Sequence, residues 1–141
     1  PENSKNCKNI MKRLNFEINV IPCGTWSERK TLHFNALNNS DSMIAETGET
    51  CIEVMPIDEA VDPSQRVTYI KMDVEGSELE SLKGAKRTIL KDRPKLAICI
   101  YHKPEDMLTL PLYIKSLVPE YKLYLRHHSG TESETVLYAM P

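Results

Sequence analysis

The sequence predicts an α/β layered fold with a mostly parallel sheet that ends in an antiparallel strand pair. Three observations carry this. Apolar stretches of strand length alternate with stretches of helical period along most of the chain. Residues 95–101, KLAICIY, are apolar almost throughout, as a strand covered on both faces must be. Residues 121–126 and 135–139 read as strands joined by a polar turn around Gly130, too short for a crossover, so this pair is antiparallel.

In order, Asn3 or Ser4 caps a first helix whose apolar face is Cys7, Ile10, Met11 and Leu14. Residues 16–21 are the first strand; Pro22 ends it, and residues 23–27 form the loop at its carboxyl end. Residues 31–35 and 51–55 are short strands of a β-hairpin with a long tip. Residues 57–60 make one helical turn. Residues 67–72, VTYIKM, form the central strand, followed by Asp73, Glu75 and Gly76. A helix starts there, with Ser77 and Glu80 at the S-x-x-E spacing of a capping box. Leu79, Leu82, Ile89 and Leu90 lie on one side of it, with Ala85 and the stem of Lys86 between them. Gly84 weakens this helix by about 1 kcal/mol against Ala, and residues 92–94 stop it. After the buried strand come His102 and Pro104, and Pro111 makes residues 105–117 two short helices or a kinked one.

A length of 141 residues predicts one domain with a real core, and 40% hydrophobic with 27% charged residues is ordinary for a globular protein. A net charge of -2 gives no footprint for nucleic acid or an anionic membrane. No apolar run approaches the roughly 18 residues of a membrane span, and no signal peptide is seen in a chain that begins at Pro1. Cys7, Cys23, Cys51 and Cys99 are scattered without C-x-x-C, which predicts a reducing, cytoplasmic setting and no structural metal.

The candidate chemistry sits at strand ends, where α/β folds bind ligands. Asp73 and Glu75 follow the central strand, and His102 ends the neighbouring one, so Asp73 and His102 belong to one rim. The carboxylate and an imidazole, whose ordinary pKa lies near 6.5, can orient a hydroxyl and take its proton. The plainer reading makes Asp73 and Glu75 solvated helix-terminus acids, with Glu75 neutralising Lys71, and His102 a polar strand cap. Gly76 serves a turn of positive φ or a close approach. His127 and His128 lack metal-ligand spacing with His102 and Asp73. Ser40, Asp41 and Ser42, on the hairpin tip, are a solvated loop or a substrate lid.

Several stretches together resemble the FkbM-type family of S-adenosylmethionine-dependent methyltransferases: IKMDVEGSELESLKGAKRTILKDRPKLAICIYHKPEDM, PLYIKSLVPEYKLYLRHHS, TVLYA and CGTWSERKTLHF. The resemblance runs from Pro1 to Ala139 and is densest over residues 71–84 and 97–106. It implies a Rossmann-like three-layer fold and S-adenosylmethionine as cofactor. It further implies O-methylation of a sugar or natural-product hydroxyl, with Asp73 facing the cleft beside His102. Beside these, Glu75 and the hairpin-tip Ser42 are the candidate acceptor contacts. Gly24, Thr25 and Trp26 match the family's loop beside the adenine; the plainer reading of a single Trp is core.

The chain departs from the family pattern at two elements. No G-x-G occurs among glycines 24, 48, 76, 84 and 130, and no strand-ending acid precedes residue 3. The chain therefore reads as the latter part of the domain, lacking the glycine-rich cofactor loop. A sheet missing its first strands presents an unpaired edge and an uncovered apolar face, a template for homo-oligomers. The rival reading is a non-catalytic binding or scaffold module that keeps the fold without the cofactor.

Overall fold

The computed structural model describes residues 6–7, 9–10, 18–34, 50–131 and 133–141. Asn6, Cys7, Asn9 and Ile10 are helical, in keeping with the expected first helix. Met11, Leu14 and the caps Asn3 and Ser4 lie outside the described residues, as do Ser40, Asp41 and Ser42 of the hairpin tip. The described chain then runs β1 (Gly24–Thr25), β2 (Lys30–Phe34), β3 (Thr50–Met55), α1 (Ile57–Ala60), β4 (Tyr69–Met72) and α2 (Glu78–Gly84). It continues through α3 (Lys86–Asp92), β5 (Lys95–Cys99), α4 (Asp106–Leu117), β6 (Lys122–His127) and β7 (Thr135–Met140).

The strands form two sheets, ordered β1-β3-β2 and β4-β5-β7-β6. β2 and β3 form the expected antiparallel hairpin, and β6 and β7 the expected closing pair. A mostly parallel sheet is met only in part. β1–β3 and β4–β5 are parallel, but β7 lies between β5 and β6 and runs against both. The link over residues 128–134 is shorter than the dozen or so residues a parallel crossover needs.

Residues 18–21, expected in the first strand, carry no ladder. The strand begins beyond Pro22 instead, where Gly24 and Thr25 pair with Val54 and Met55. Ile18 and Ile21 are correspondingly exposed. Gly24 and Thr25, expected in a loop, are thus the strand itself.

Alternation along β4, β5 and β7 separates two faces. Ile70, Met72, Leu96, Ile98, Leu137 and Ala139 join Leu82, Ile89, Leu110 and Ile114 from the helices, and Ala85 between α2 and α3, in one core. Ala97, Cys99 and Val136 form a smaller cluster on the other face, with Tyr101 and Tyr138 against it. β5 is buried from Leu96 to Cys99, as its apolar sequence requires. Tyr121 closes the core from below α4, its hydroxyl donating to the Pro94 carbonyl at 2.6 Å. Pro111 is accommodated within the single helix α4.

The helix expected after Gly76 is two helices, broken at Ala85, and Leu90 is 45% exposed rather than buried. Asp58 of α1 explains the break. Its Oδ1 accepts from the Thr88 amide at 2.8 Å and the Thr88 hydroxyl at 2.7 Å, and its Oδ2 from the Arg87 amide at 2.8 Å. Those amides open a new helix and need acceptors from outside it. Asp58→Ala is expected to cost about 1–2 kcal/mol, the usual value of a lost helix cap. Denaturant unfolding checks this; an unchanged midpoint would mean that water caps α3 equally well.

Candidate active site

β4 and β5 run parallel with Met72 opposite Ile98, so both chains leave the sheet at the same rim. Beyond β4 the backbone turns at Glu75 and Gly76, both left-handed, at φ 52° and 85°. Gly76 meets the expectation of positive φ. Glu75 does not share glycine's freedom, and an L-residue held there costs roughly 1–2 kcal/mol. The turn carries its Oε2 to 3.3 Å from His102 Nε2. The Lys103 ammonium donates to the Gly76 carbonyl and closes the turn from the β5 side.

Asp73 and His102 meet as the strand register predicts, with Nε2 3.6 Å from Asp73 Oδ1. The His102 side chain is only 10% exposed, whereas that of Asp73 is 33% exposed and reaches solvent. Behind them stands Glu78, fully buried, with Oε1 2.8 Å from His102 Nδ1. The same oxygen accepts from the Val74 amide at 3.0 Å. The expected capping box is therefore absent: Ser77 makes no side-chain cap, its backbone is not extended, and Glu78 serves the turn instead. Glu80 points elsewhere, accepting from the Ser27 hydroxyl and pairing with Lys83.

Glu78 is the residue that sequence reasoning missed. Its signal was present, since Glu78, Leu82 and Ala85 share one helical stripe and a carboxylate on an apolar stripe marks a buried charge. Asp106, at the start of α4, is a second buried acid; burial, with the Glu78 charge behind it, pushes its carboxyl up.

The electrostatics of Asp73 are set by its donors. Burial works to raise its carboxyl, but Lys71 Nζ (3.2 Å), the Cys99 thiol and the Tyr101 hydroxyl (3.2 Å) donate to it and hold it below the usual carboxylate range. The same contacts act in reverse on its neighbours. Burial, then the Asp73 charge, pushes the Cys99 thiol up to about 12 and the Tyr101 hydroxyl upward. A protonated, buried thiol is a poor nucleophile. Alkylation of the native chain at neutral pH is thus expected to label exposed Cys7 and Cys51 first and Cys99 only after unfolding. Peptide mass spectrometry reads this, and Cys99 labelling as fast as Cys51 would contradict the placement.

Gly24, Thr25 and Trp26 are not brought against the Asp73–His102 pair. They pack along α2: the Thr25 and Ser81 hydroxyls lie 2.6 Å apart, and the Trp26 carbonyl lies over Gly84. The Trp26 ring is neither core nor free, being half-buried with Lys30 Nζ 4.9 Å from its centre. His127 and His128 bond within the β6–β7 hairpin, to the Thr135 hydroxyl at 2.8 Å and the Tyr138 hydroxyl at 3.1 Å. Ser42 lies outside the described residues.

The rim thus combines an ionised carboxylate, an imidazole facing it and a buried carboxylate behind the imidazole. Such a set can orient a hydroxyl, receive its proton and draw a cationic group. Among the described residues no helix is long and apolar enough to cross a membrane.

The Methyltransferase FkbM domain family matches residues 5–129. Among solved structures, the crystal structure of Methyltransferase FkbM from Methylobacillus flagellatus KT at 2.20 Å resolution is similar to 96% of this chain, at 36% identity and a TM-score of 0.76. The chain spans 33% of that protein's length. No curated protein matches the chain significantly.

Proposed function

Because the chain belongs to the FkbM methyltransferase family, we propose that it serves the S-adenosylmethionine-dependent methylation of a hydroxyl oxygen on a saccharide or a natural product. The observation that carries this is the approach of His102 to Asp73 at one sheet rim, backed by buried Glu78. We read the fold as the Rossmann-like three-layer methyltransferase architecture and the setting as cytoplasmic, in keeping with four free cysteines.

The residues present fit one end of this cofactor. The acidic rim of Asp73 and Glu75, with Glu78 buried behind it, suits a sulfonium charge, and the half-buried Trp26 ring suits an adenine face. No G-x-G in these residues offers backbone amides to the methionine end. When bound, S-adenosylmethionine supplies an electrophilic methyl group on sulfur. The chain's own task is to present the acceptor. Asp73, its carboxylate kept ionised by three donors, holds the hydroxyl and aligns its oxygen. As the methyl left sulfur for the hydroxyl oxygen, the C–S bond breaking while the C–O bond formed, the hydroxyl proton would pass to Asp73 or His102. Glu75, on its strained turn, lies beside them on the solvent side and contacts the acceptor.

The test is transfer of labelled methyl from S-adenosylmethionine to saccharide and polyketide hydroxyls by the full-length gene product. Methylation of carbon or nitrogen acceptors alone would overturn the oxygen assignment. The 141 residues by themselves are expected to bind the cofactor weakly or not at all, and calorimetry giving micromolar affinity would show that the glycine-rich turn is dispensable. The rival reading, a binding or scaffold module, is favoured by the same missing G-x-G. A full-length gene product that fails to bind S-adenosylmethionine would decide for it.

A further inference from the structure

We propose that Asp73, Glu78 and His102 form a binding site for a divalent cation. Four buried side-chain atoms among the described residues have no hydrogen-bond partner: Glu78 Oε2, His102 Nδ1, His102 Nε2 and Asp106 Oδ2. Three of the four belong to two touching side chains. His102 Nδ1 lies 2.8 Å from Glu78 Oε1 yet off the line of a hydrogen bond; that oxygen is taken by the Val74 amide, and proximity leaves the imidazole and Glu78 Oε2 without a partner. Native interiors seldom leave such atoms unpaired, and where they do an ion or a water commonly accounts for them.

The geometry suits an ion. One ligand atom from each of Asp73, Glu78 and His102 lies within 4.8 Å of the other two. Ligands bonded at about 2.1 Å to one ion stand roughly 3–4.2 Å apart, so small side-chain rotations would complete the set. Charge points the same way. Asp73, Glu75 and Glu78 surround one imidazole; the Lys71 ammonium is engaged on Asp73 Oδ2, while Oδ1, which accepts from the Tyr101 hydroxyl, also faces His102. A fully buried carboxylate needs a paired charge or a metal. The side also open to solvent, where Asp73 and Glu75 are 33% and 58% exposed, gives the ion an entry path and room for water or an acceptor oxygen in its remaining positions.

Two carboxylates and one imidazole favour a first-row ion such as Mn²⁺ or Zn²⁺ over Ca²⁺ or Mg²⁺, which prefer oxygen alone. The binding itself does not depend on the methyltransferase reading. Its role there would: with the ion in place His102 is a ligand, and a coordinated hydroxyl loses its proton more readily because of the metal's charge. Both roles fall on the same side chains, so binding rather than turnover must separate them.

The experiment is a titration of the 141-residue chain with Mn²⁺, followed by electron paramagnetic resonance, with no cofactor or acceptor present. One saturable site is expected, displaced by Zn²⁺ and weakened at least tenfold by Asp73→Asn and by Glu78→Gln, while His128→Ala leaves it unchanged. Glu78 is buried and its variant is first checked by circular dichroism; Asp73, on the surface, carries the test if that variant does not fold. Absence of saturable binding, or binding indifferent to Asp73→Asn, overturns the proposal. Glu78 would then be a carboxylate that only orients the imidazole, and the methyl-transfer assay would stand or fall on its own.

Discussion

Asp73→Asn or His102→Ala, made in the full-length gene product, is expected to lower kcat by about a hundredfold or more, with cofactor affinity changed little. A sugar or alcohol hydroxyl holds its proton far above neutrality, so its attack on an electrophilic methyl gains from a group positioned to take that proton. Such help is typically worth about 10²–10⁴-fold. Asp73→Asn keeps the shape and the acceptor oxygen for Tyr101 or Lys71 but removes the negative charge. His102→Ala removes the imidazole that faces it and leaves Glu78 buried without its neighbour, so its fold must be verified separately. The expected signature is a fall in kcat and kcat/KM together, because the interaction is made as the proton leaves. Near-full turnover in both variants would end the assignment. Catalysis would then rest on alignment alone, and Asp73 would only shape the pocket.

How far these features could be read without coordinates differs by element, for physical reasons. β5 and the closing pair were legible because their signals are local: an unbroken apolar run, and a turn too short to cross. The meeting of Asp73 and His102 was legible because parallel strands deliver both of their carboxyl ends to one rim. The break at Ala85 was not, since its cause is Asp58, thirty residues before Thr88 in sequence. β1 was misplaced for a similar reason: a two-residue strand has almost no pattern of its own and exists where β3 offers a partner. Glu78 was overlooked because Ser77 and Glu80 fit a familiar local motif, while the buried side of the helix required a polar group that only the β4–α2 turn and His102 explain.

Gly84 shows the same limit of local reading, and it gives the largest expected stability effect. As a helix residue it looks like a weakness, which Ala should repair by about 1 kcal/mol. In the fold, a Cβ at this position would lie 2.0 Å from the Trp26 carbonyl oxygen and 2.9 Å from its carbon, both backbone atoms that cannot rotate away. β1 would have to lift from α2. That shift would strain the Thr25–Ser81 contact, and the Ser27–Glu80 hydrogen bond beside it. Overpacking costs typically 1–3 kcal/mol and more when backbone must move, so the clash outweighs the gain in helix propensity. Gly84→Ala is expected to destabilise the chain by about 3 kcal/mol net, a fall in Tm of roughly 6–12 °C for a domain of this size. Gly130→Ala is the matched control, because nothing lies within 4 Å of the Cβ it would add, and its stability should stay close to that of the parent. If Gly84→Ala instead gains the increment that helix propensity predicts, β1 does not lie on α2 as described. The adenine-side role proposed for Trp26 would then lose its scaffold, since the Trp26 backbone is held at the distance that Gly84 alone allows.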